Sequence, residues 1–542
     1  MYRQVTDPLG HLGLTALLAA TPLLVLLVLL GVVRMASHRA ALWSLASAVA
    51  IALTVYRMPF GQIADGAVEG AAFGLFPIVW IILNAVWINK LQRASGHFDL
   101  IGRTFTSLSP DPRVQALVIA YCFGAMIESL SGFGTPIAIT SIILLGLGLT
   151  PLRAAAVAAF ANTAPAAFGS VGNPIQALAK ATGYSEHALG AMVGRQSSVI
   201  AVLVPFFLLL ILDGRRGLRE VWPAALAAGV GFGAGQYVCA NFFAYQLTDV
   251  LAGIVSVLAV VALLRFWQPE GTRTTRAPDL EPAPATDTEP RRAPRLPLLQ
   301  AFAPYALLII AFALVSVDGP AARFVAARGA SFPWPGLHLR TADGTVPKAA
   351  VYDLNWLGSG GTVLLIVGLL SVLILRVRPG RALRAYREAG SQIRWAALSI
   401  GCVLALSYVM NLSGMAVSLG AWLAGTGGVF ALLSGFLGWF GVALTGSDTS
   451  SNALFGAMQV AAAHRVGMDG LLAAATNSTG GVQGKAEAMQ NLAIASSAVG
   501  LTGREGEILR KVIGWSLCVL AALCLLAWLE STPVLDWMVV GR

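Results

Sequence analysis

The chain has 542 residues, of which 57% are hydrophobic and only 11% charged, with a mean hydropathy of +0.74. A soluble domain averages about 25% charged residues, so the composition excludes a soluble globular protein and predicts an integral membrane protein. The net charge of +10 lies in loops between apolar runs, where it orients spans by the positive-inside rule and gives no reason to invoke nucleic acid.

Apolar runs near the ~20 residues needed to cross about 30 Å of hydrocarbon recur along the whole chain. In order they lie near 12–33, 40–57, 66–89, 113–129, 135–149, 152–170, 190–212, 220–243, 247–267, 299–317, 356–375, 395–412, 430–445, 452–464, 467–482 and 508–530. Several are too short or too polar for ordinary spans, so roughly twelve to fourteen crossings are expected and the remainder read as half-helices. The first run has no Arg-rich region before it and no small-residue cleavage site, so it reads as a retained helix and not a signal peptide. Cys122, Cys239, Cys402, Cys518 and Cys524 all fall in apolar runs, where free cysteine acts as a small hydrophobe.

Arg34 and Arg39, Lys90 and Arg93, Arg215, Arg216 and Arg219, and the arginines between Arg376 and Arg394 mark cytoplasmic loops. Residues 270–295, rich in Pro and Thr with mixed charge, read as a disordered cytoplasmic linker between two halves. The stretch 318–355 then lies outside, and its Pro-rich composition favours filler.

The two halves resemble each other. RASGHFDLIGRTF (93–105) lies over NLSGMAVSLGAWL (411–423), FGAMIESLSGFGTP (123–136) over FGVALTGSDTSSNA (440–453), and ANTAPAAFG (161–169) over TNSTGGVQG (476–484), at offsets of 315 to 318. The last match pairs Asn162 with Asn477 and Thr163 with Ser478. The first unit's opening run ends at cytoplasmic Lys90, whereas its counterpart starts at cytoplasmic Arg394, so the units enter the membrane from opposite sides. The fold class expected is an all-α polytopic membrane protein with two inverted-topology repeats and discontinuous helices, the architecture of secondary transporters. The division is N-terminal helices at 1–62, a first unit at 63–185 broken at 128–136, connecting helices at 186–267 and a linker at 268–298. Helices with the external loop follow at 299–390, a second unit at 391–500 broken at 445–452, and a C-terminal helix at 501–542.

Helix breaks in lipid are tolerated only where the freed backbone faces protein or a water-filled cavity. Gly132 and Gly134 permit open backbone and Pro136 suits a first helical turn. With Thr135 as cap, the next helix presents free N–H groups and a positive dipole end at mid-membrane, an anion site. In the second unit Ser450, Ser451 or Asn452 caps the helix running to 464. Intramembrane carboxylates are costly and functional by default, which makes Glu128 and Asp448 candidate proton carriers. Asp448 has a rival reading as a tip brace, and Glu128 as the partner of a buried cation. Lys485 is such a cation, which can instead neutralise a substrate, pair with Glu487 or snorkel. Glu69 reads as structural. The six histidines show no ligand spacing and no nucleotide or nucleophile motif appears, so neither a metal, a cofactor, an enzyme nor an ATP-driven pump is expected.

GFGTPIAIT (132–140), ANTAPAAFG (161–169), LTGSDTSSNALFGAMQ (444–459) and NSTGGVQGK (477–485) resemble the signature regions of the lactate permease family. The resemblance implies import of lactate, glycolate and similar 2-hydroxymonocarboxylates with a proton across the cytoplasmic membrane. On that reading the tips at Gly134, Thr135 and Ser450 to Asn452 bind the carboxylate. Asn162 and Asn477, with neighbouring Thr163 and Ser478, read the hydroxyl or brace the loops, Asp448 or Glu128 carries the proton, and Lys485 offsets charge. The partners are then a small carboxylate anion, a proton and the lipid bilayer, and a homo-oligomer is compatible with the composition. The chain departs from the family at Ser129, Leu130 and Ser131, where small residues are usual, and at AEAMQN (486–491), where a Ser-Pro-Gln run is usual. A sodium-coupled importer of another small carboxylate is the nearest rival, ahead of a membrane sensor or a passive channel.

Overall fold

A computed structural model describes residues 2–106, 108–132, 134–269, 295–316, 319–341 and 344–541. Phe133 and most of the expected linker at 268–298 lie outside the described residues. From the N-terminus, α1 (Leu12–Leu27), α2 (Ser37–Thr54) and α3 (Phe60–Phe73) precede a π segment and α4 (Trp80–Ala94). Then come α5 (His97–Thr106), α6 (Pro112–Leu117), a π segment (Val118–Phe123), α7 (Gly124–Ser131), α8 (Thr135–Gly146), α9 (Pro151–Ala161) and α10 (Gly169–Thr182). The connecting region holds α11 (Glu186–Phe242) and α12 (Thr248–Leu264), and beyond the linker lie α13 (Arg295–Ser316), α14 (Pro320–Ala326) and α15 (Gly360–Ile374). The second half continues with α16 (Pro379–Ser413), α17 (Met415–Leu423), α18 (Phe430–Thr445), α19 (Asp448–Val466), α20 (Gly470–Gln483), α21 (Met489–Ala498) and α22 (Glu505–Glu530).

Among the described residues eight helices are long and apolar enough to cross a membrane, or up to ten if each sharply bent pair is one span. The roughly twelve to fourteen crossings expected from run length exceed this for two physical reasons. The 57 residues of α11 hold two apolar runs on either side of a non-helical Gly214, and α8, α15 and α20, with 12, 15 and 14 residues, are too short to span alone. The chain is a multi-pass, all-α membrane protein.

Local sequence sets the helix starts. Asp111 accepts from the Arg113 amide at 2.8 Å ahead of Pro112, and Asp469 accepts from Leu471 and Leu472 amides at 2.8 and 3.2 Å to open α20, each satisfying donors that a helix cannot pair itself. Glycines let α18 and α20 touch: a Cβ on Gly438 would stand 2.0 Å from the Asn477 carbonyl, and one on Gly480 2.2 Å from that of Gly435. Such contact draws membrane helices together through backbone packing.

Stretches matched between the two halves share local backbone features. α4 passes through left-handed Gly96 into the short α5, and α16 through left-handed Gly414 into the short α17. α7 breaks at Gly132 and Gly134, and α18 at Gly446, all with positive φ. Packing between the units is reciprocal: α8 meets α21 and α19 meets α10, while α9 meets α21 and α20 meets α10.

The segment at 318–355, expected to be filler, is built. β2 (Ala330–Pro333) pairs antiparallel with β4 (Val351–Leu354), and β3 (Leu339–Arg340) pairs parallel with β1 (Tyr2–Arg3). Tyr2 also donates to the Ser413 carbonyl at 2.8 Å, fastening this layer to the end of α16. The layer borders an open cavity of about 810 Å³ whose lining includes Phe73, Gln176, Lys180, Tyr184, Glu186 and Asp353.

Candidate functional site

Two clusters of buried polar residues meet between the broken segments. In the first, Glu128, 2% exposed, pairs with Lys485, 6% exposed, and accepts from Asn162 Nδ2 at 2.9 Å. The partners come from different halves of the chain: Glu128 lies on α7, and Lys485 on a 3-10 turn (Gly484–Ala486) after α20. Asn491 Nδ2 donates to the Lys485 carbonyl at 2.9 Å and holds that turn. Gly169 makes room for the carboxylate, since a Cβ there would lie 2.6 Å from Glu128 Oε1.

In the second cluster Asp448 Oδ2 accepts from Ser478 Oγ at 2.7 Å and Asn452 Nδ2 at 3.2 Å. Asn452 Nδ2 also reaches the Pro174 carbonyl at 3.1 Å, tying α19 to α10. Asn477 Nδ2 donates to Asn452 Oδ1 at 2.9 Å and its Oδ1 accepts from Gln459 Nε2 at 2.7 Å. Asp448 opens α19, where the positive end of the helix dipole favours a negative charge, while its Oδ1 is buried without a hydrogen-bond partner among the described residues.

A cavity of about 40 Å³ joins the clusters, lined among others by Glu128, Gly132, Ser170, Asn173, Asp448 and Lys485. Its other walls show why sequence alone misplaces some contacts. Thr135 is the first helical residue and not the cap; left-handed Gly134 precedes it and no side chain caps α8. Gly134 packs on α21, where its Cβ would meet Ile494 Cδ1 at 2.5 Å. The cap of α19 is Ser447, accepting from the Ser450 amide at 3.3 Å, in place of Ser450, Ser451 or Asn452. Ser451 turns to the Gly438 carbonyl at 3.4 Å and Thr163 to the Phe160 carbonyl at 2.8 Å. The first unit reaches the cavity through the start of α10, where Ser170, Val171 and Gly172 are all left-handed. For a residue with a Cβ that conformation costs about 1–2 kcal/mol.

Residues the sequence reading passed over also stand here. Asn173 and Ser447 line the cavity, and Gln459 anchors Asn477. Asp249 is fully buried on the first turn of α12, and neither of its carboxylate oxygens has a hydrogen-bond partner among the described residues. Its place at the start of an apolar run makes it look like an ordinary interfacial charge.

A family model described as L-lactate permease matches residues 15–532. The chain belongs to the L-lactate permease family. It is 38% identical over 552 residues to the L-lactate permease of Escherichia coli strain K12, covering 99% of this chain and 100% of the relative. The L-lactate permease of Salmonella typhimurium strain LT2 is 37% identical, with 99% and 100% covered, and the glycolate permease GlcA of E. coli is 37% identical, with 98% of each covered. In the stretch after Lys485 (486–491), α21 starts at Met489 with no side-chain cap, and Glu487 is buried beside it.

Proposed function

We propose that the chain is a secondary active transporter that carries L-lactate, glycolate or a similar 2-hydroxymonocarboxylate together with a proton. The observation that carries this reading is the buried Lys485–Glu128 pair, formed across the two halves at a cavity between broken helices. A hydroxy acid is anionic at neutral pH, its carboxyl resembling an α-carboxyl of pKa about 3.3–3.7, and it needs a cation in a site that excludes water. Lys485 is that cation, held by Glu128 until a proton reaches the carboxylate. Protonation releases the ammonium to the substrate, so that neither anion nor proton binds well alone, and this linkage is the coupling. Of the two candidate carriers the geometry favours Glu128, because the charge of Asp448 is offset by a helix N-terminus and two hydrogen bonds.

The cavity, at about 40 Å³, has room for a few water molecules at about 10–15 Å³ each and not for a hydroxy acid. A hydroxy acid enters once the two units part, as alternating access in an inverted-repeat transporter requires; the reciprocal packing of α8 on α21 and α19 on α10 supports that relation. One co-transported proton cancels the roughly 2.3 kcal/mol per 100 mV that opposes entry of a monoanion into a negative interior.

The test is uptake of labelled lactate and glycolate into proteoliposomes under an imposed pH gradient, with and without sodium and with a protonophore. Accumulation abolished by the protonophore and indifferent to sodium is expected. Accumulation that follows the sodium gradient instead overturns the proton assignment and restores the sodium-coupled alternative.

A further inference from the structure

Behind the second cluster a chain of side-chain amides runs from the cavity to α18. Gln459 is fully buried on α19, and at 1.5 Å per residue it stands about 16 Å along the axis from Asp448. Its Nε2 donates to the Ser434 carbonyl at 3.0 Å and to Asn477 Oδ1 at 2.7 Å, and its Oε1 accepts from Ser434 Oγ. Asn477 Nδ2 donates to Asn452 Oδ1 at 2.9 Å. Asn452 Nδ2 then reaches the Pro174 carbonyl at 3.1 Å, Ser478 Oγ at 3.0 Å and Asp448 Oδ2 at 3.2 Å, and Ser478 Oγ donates to Asp448 Oδ2 at 2.7 Å.

The direction of this chain is fixed from both ends. A main-chain carbonyl can only accept, so the Ser434 carbonyl requires the nitrogen of Gln459, which in turn requires the oxygen of Asn477 and leaves its nitrogen for Asn452. From the other end the Pro174 carbonyl requires the nitrogen of Asn452, which leaves its oxygen for Asn477. The two ends agree. Turning Asn477 over sets N–H against N–H at Gln459 and oxygen against oxygen at Asn452. Asp448 Oδ2 therefore meets only donors, and Oδ1, buried without a hydrogen-bond partner among the described residues, is the oxygen left for a proton or a ligand.

Building on the transport reading above, we propose that Gln459 is a positioning residue of the site. It does not line the cavity. Through Asn477 and Asn452 it sets which oxygen of Asp448 is bound to the protein and which is left free, in a carboxylate that lines the same cavity as Glu128 and Lys485.

The test uses the full chain in proteoliposomes and measures lactate exchange at equal pH on both sides, so that no gradient drives it. Gln459→Met keeps the volume and removes the polarity; it is expected to raise KM about tenfold at every pH, the order that a stranded buried polar group costs. Gln459→Glu can donate to Asn477 when protonated and cannot when ionised, and Asn477→Asp repeats this dependence one link further on. Both are expected to approach the unaltered chain at acidic pH and Gln459→Met at alkaline pH. The titratable groups already around Gln459 are Asp448, His464 and Arg465 on α19, Lys180 on α10, and Cys402 and Tyr408 on the part of α16 that bonds α19 through Ser407; α17, α18 and α20 carry none. The unaltered chain shares all of them, so its own pH profile removes their contribution. An unaltered KM in Gln459→Met overturns the proposal. So does a Gln459→Glu variant as weak at acidic as at alkaline pH, because bulk and not polarity is then what the position supplies. If the unaltered chain exchanges no lactate, the transport reading falls first and the role in transport with it. The polarity of the chain is then judged by melting: relative to the unaltered chain, Gln459→Glu loses stability as pH rises, since only its protonated form fits, and a difference that does not change with pH overturns it.

Discussion

Lys485 and Glu128 stabilise the protein only as a pair, because each was taken from water for the other. Removing one partner of a buried ion pair costs about 3–5 kcal/mol, whereas replacing both by neutral groups is often near neutral. Lys485→Met is therefore expected to lower the melting temperature of the detergent-solubilised chain markedly, and adding Glu128→Gln to recover most of the loss. Both variants lose pH-driven uptake, since the double variant restores packing but not the cation. Stability and transport thus separate, and equal melting of the single and double variants would remove the pair from the argument. Asn452 is a second test at this scale. Its amide shares its hydrogens among Asp448, Pro174 and Ser478 and its carbonyl accepts from Asn477. Asn452→Ala strands several buried polar groups at about 1–3 kcal/mol each, measurable as a lowered denaturation midpoint.

Helix breaks and bends carry the next level of specification. Gly134 and Gly446 both have φ of 74°, which costs a residue with a Cβ about 1–2 kcal/mol. Surroundings then distinguish them: the new Cβ would stand 2.5 Å from Ile494 Cδ1 at Gly134 but 3.0 Å from Gln490 Oε1 at Gly446. Gly134→Ala should be the more destabilising substitution in a thermal melt, and it displaces α21, whose Asn491 holds the Lys485 turn, so substrate affinity falls as well. At the other end of the span that holds α7 (Pro112–Leu130), Arg113 binds Asp111, Asp213 and Glu220 at 2.8–2.9 Å, clamping the start of α6 to the bend of α11 at Gly214. Hydrogen bonds to charged groups contribute about 1.5–3 kcal/mol, reduced here by the partial exposure of Asp213 and Glu220. Arg113→Ala is expected to lower stability by about 2 kcal/mol, a loss that high salt in the melting buffer makes smaller.

Across the whole molecule, α10 links two spaces. Gly169, Ser170, Asn173 and Pro174 at its start border the cavity between the clusters, and Gln176, Ala179 and Lys180 further along border the larger opening beside the β2–β4 pair. At 1.5 Å per residue, Asn173 and Lys180 stand about 10 Å apart along the axis. Lys180, bonded to the Val351 carbonyl and 3.4 Å from Asp353, thus marks an approach from the face that carries residues 319–355. That face also holds β1, opposite the arginine loops read as cytoplasmic. In a background with Cys518→Ser, which removes the exposed native thiol, Asp353→Cys should react with an impermeant maleimide added outside intact cells, and Arg216→Cys only after permeabilisation. The reverse pattern would invert the orientation derived from loop charge.

The sequence by itself determined the class, the order of the helices and the positions of the breaks. Apolar runs, loop arginines and glycine–proline punctuation are local properties whose cost in lipid does not depend on what lies nearby. It also brought Glu128, Asn162, Asp448, Asn452, Asn477, Ser478 and Lys485 into view, because polar residues in apolar runs need a reason. Tertiary structure decided what each of them touches. Glu128 and Lys485 are 357 positions apart, and no periodicity relates them. Whether Lys485 faces Glu128, Glu487 or solvent depends on how α7 and α20 pack, and whether Thr135 caps a helix depends on where Gly134 turns the backbone. Asp249 came into view only there as well, since its burial is set by α7 and α11 around it and not by the residues beside it in the chain.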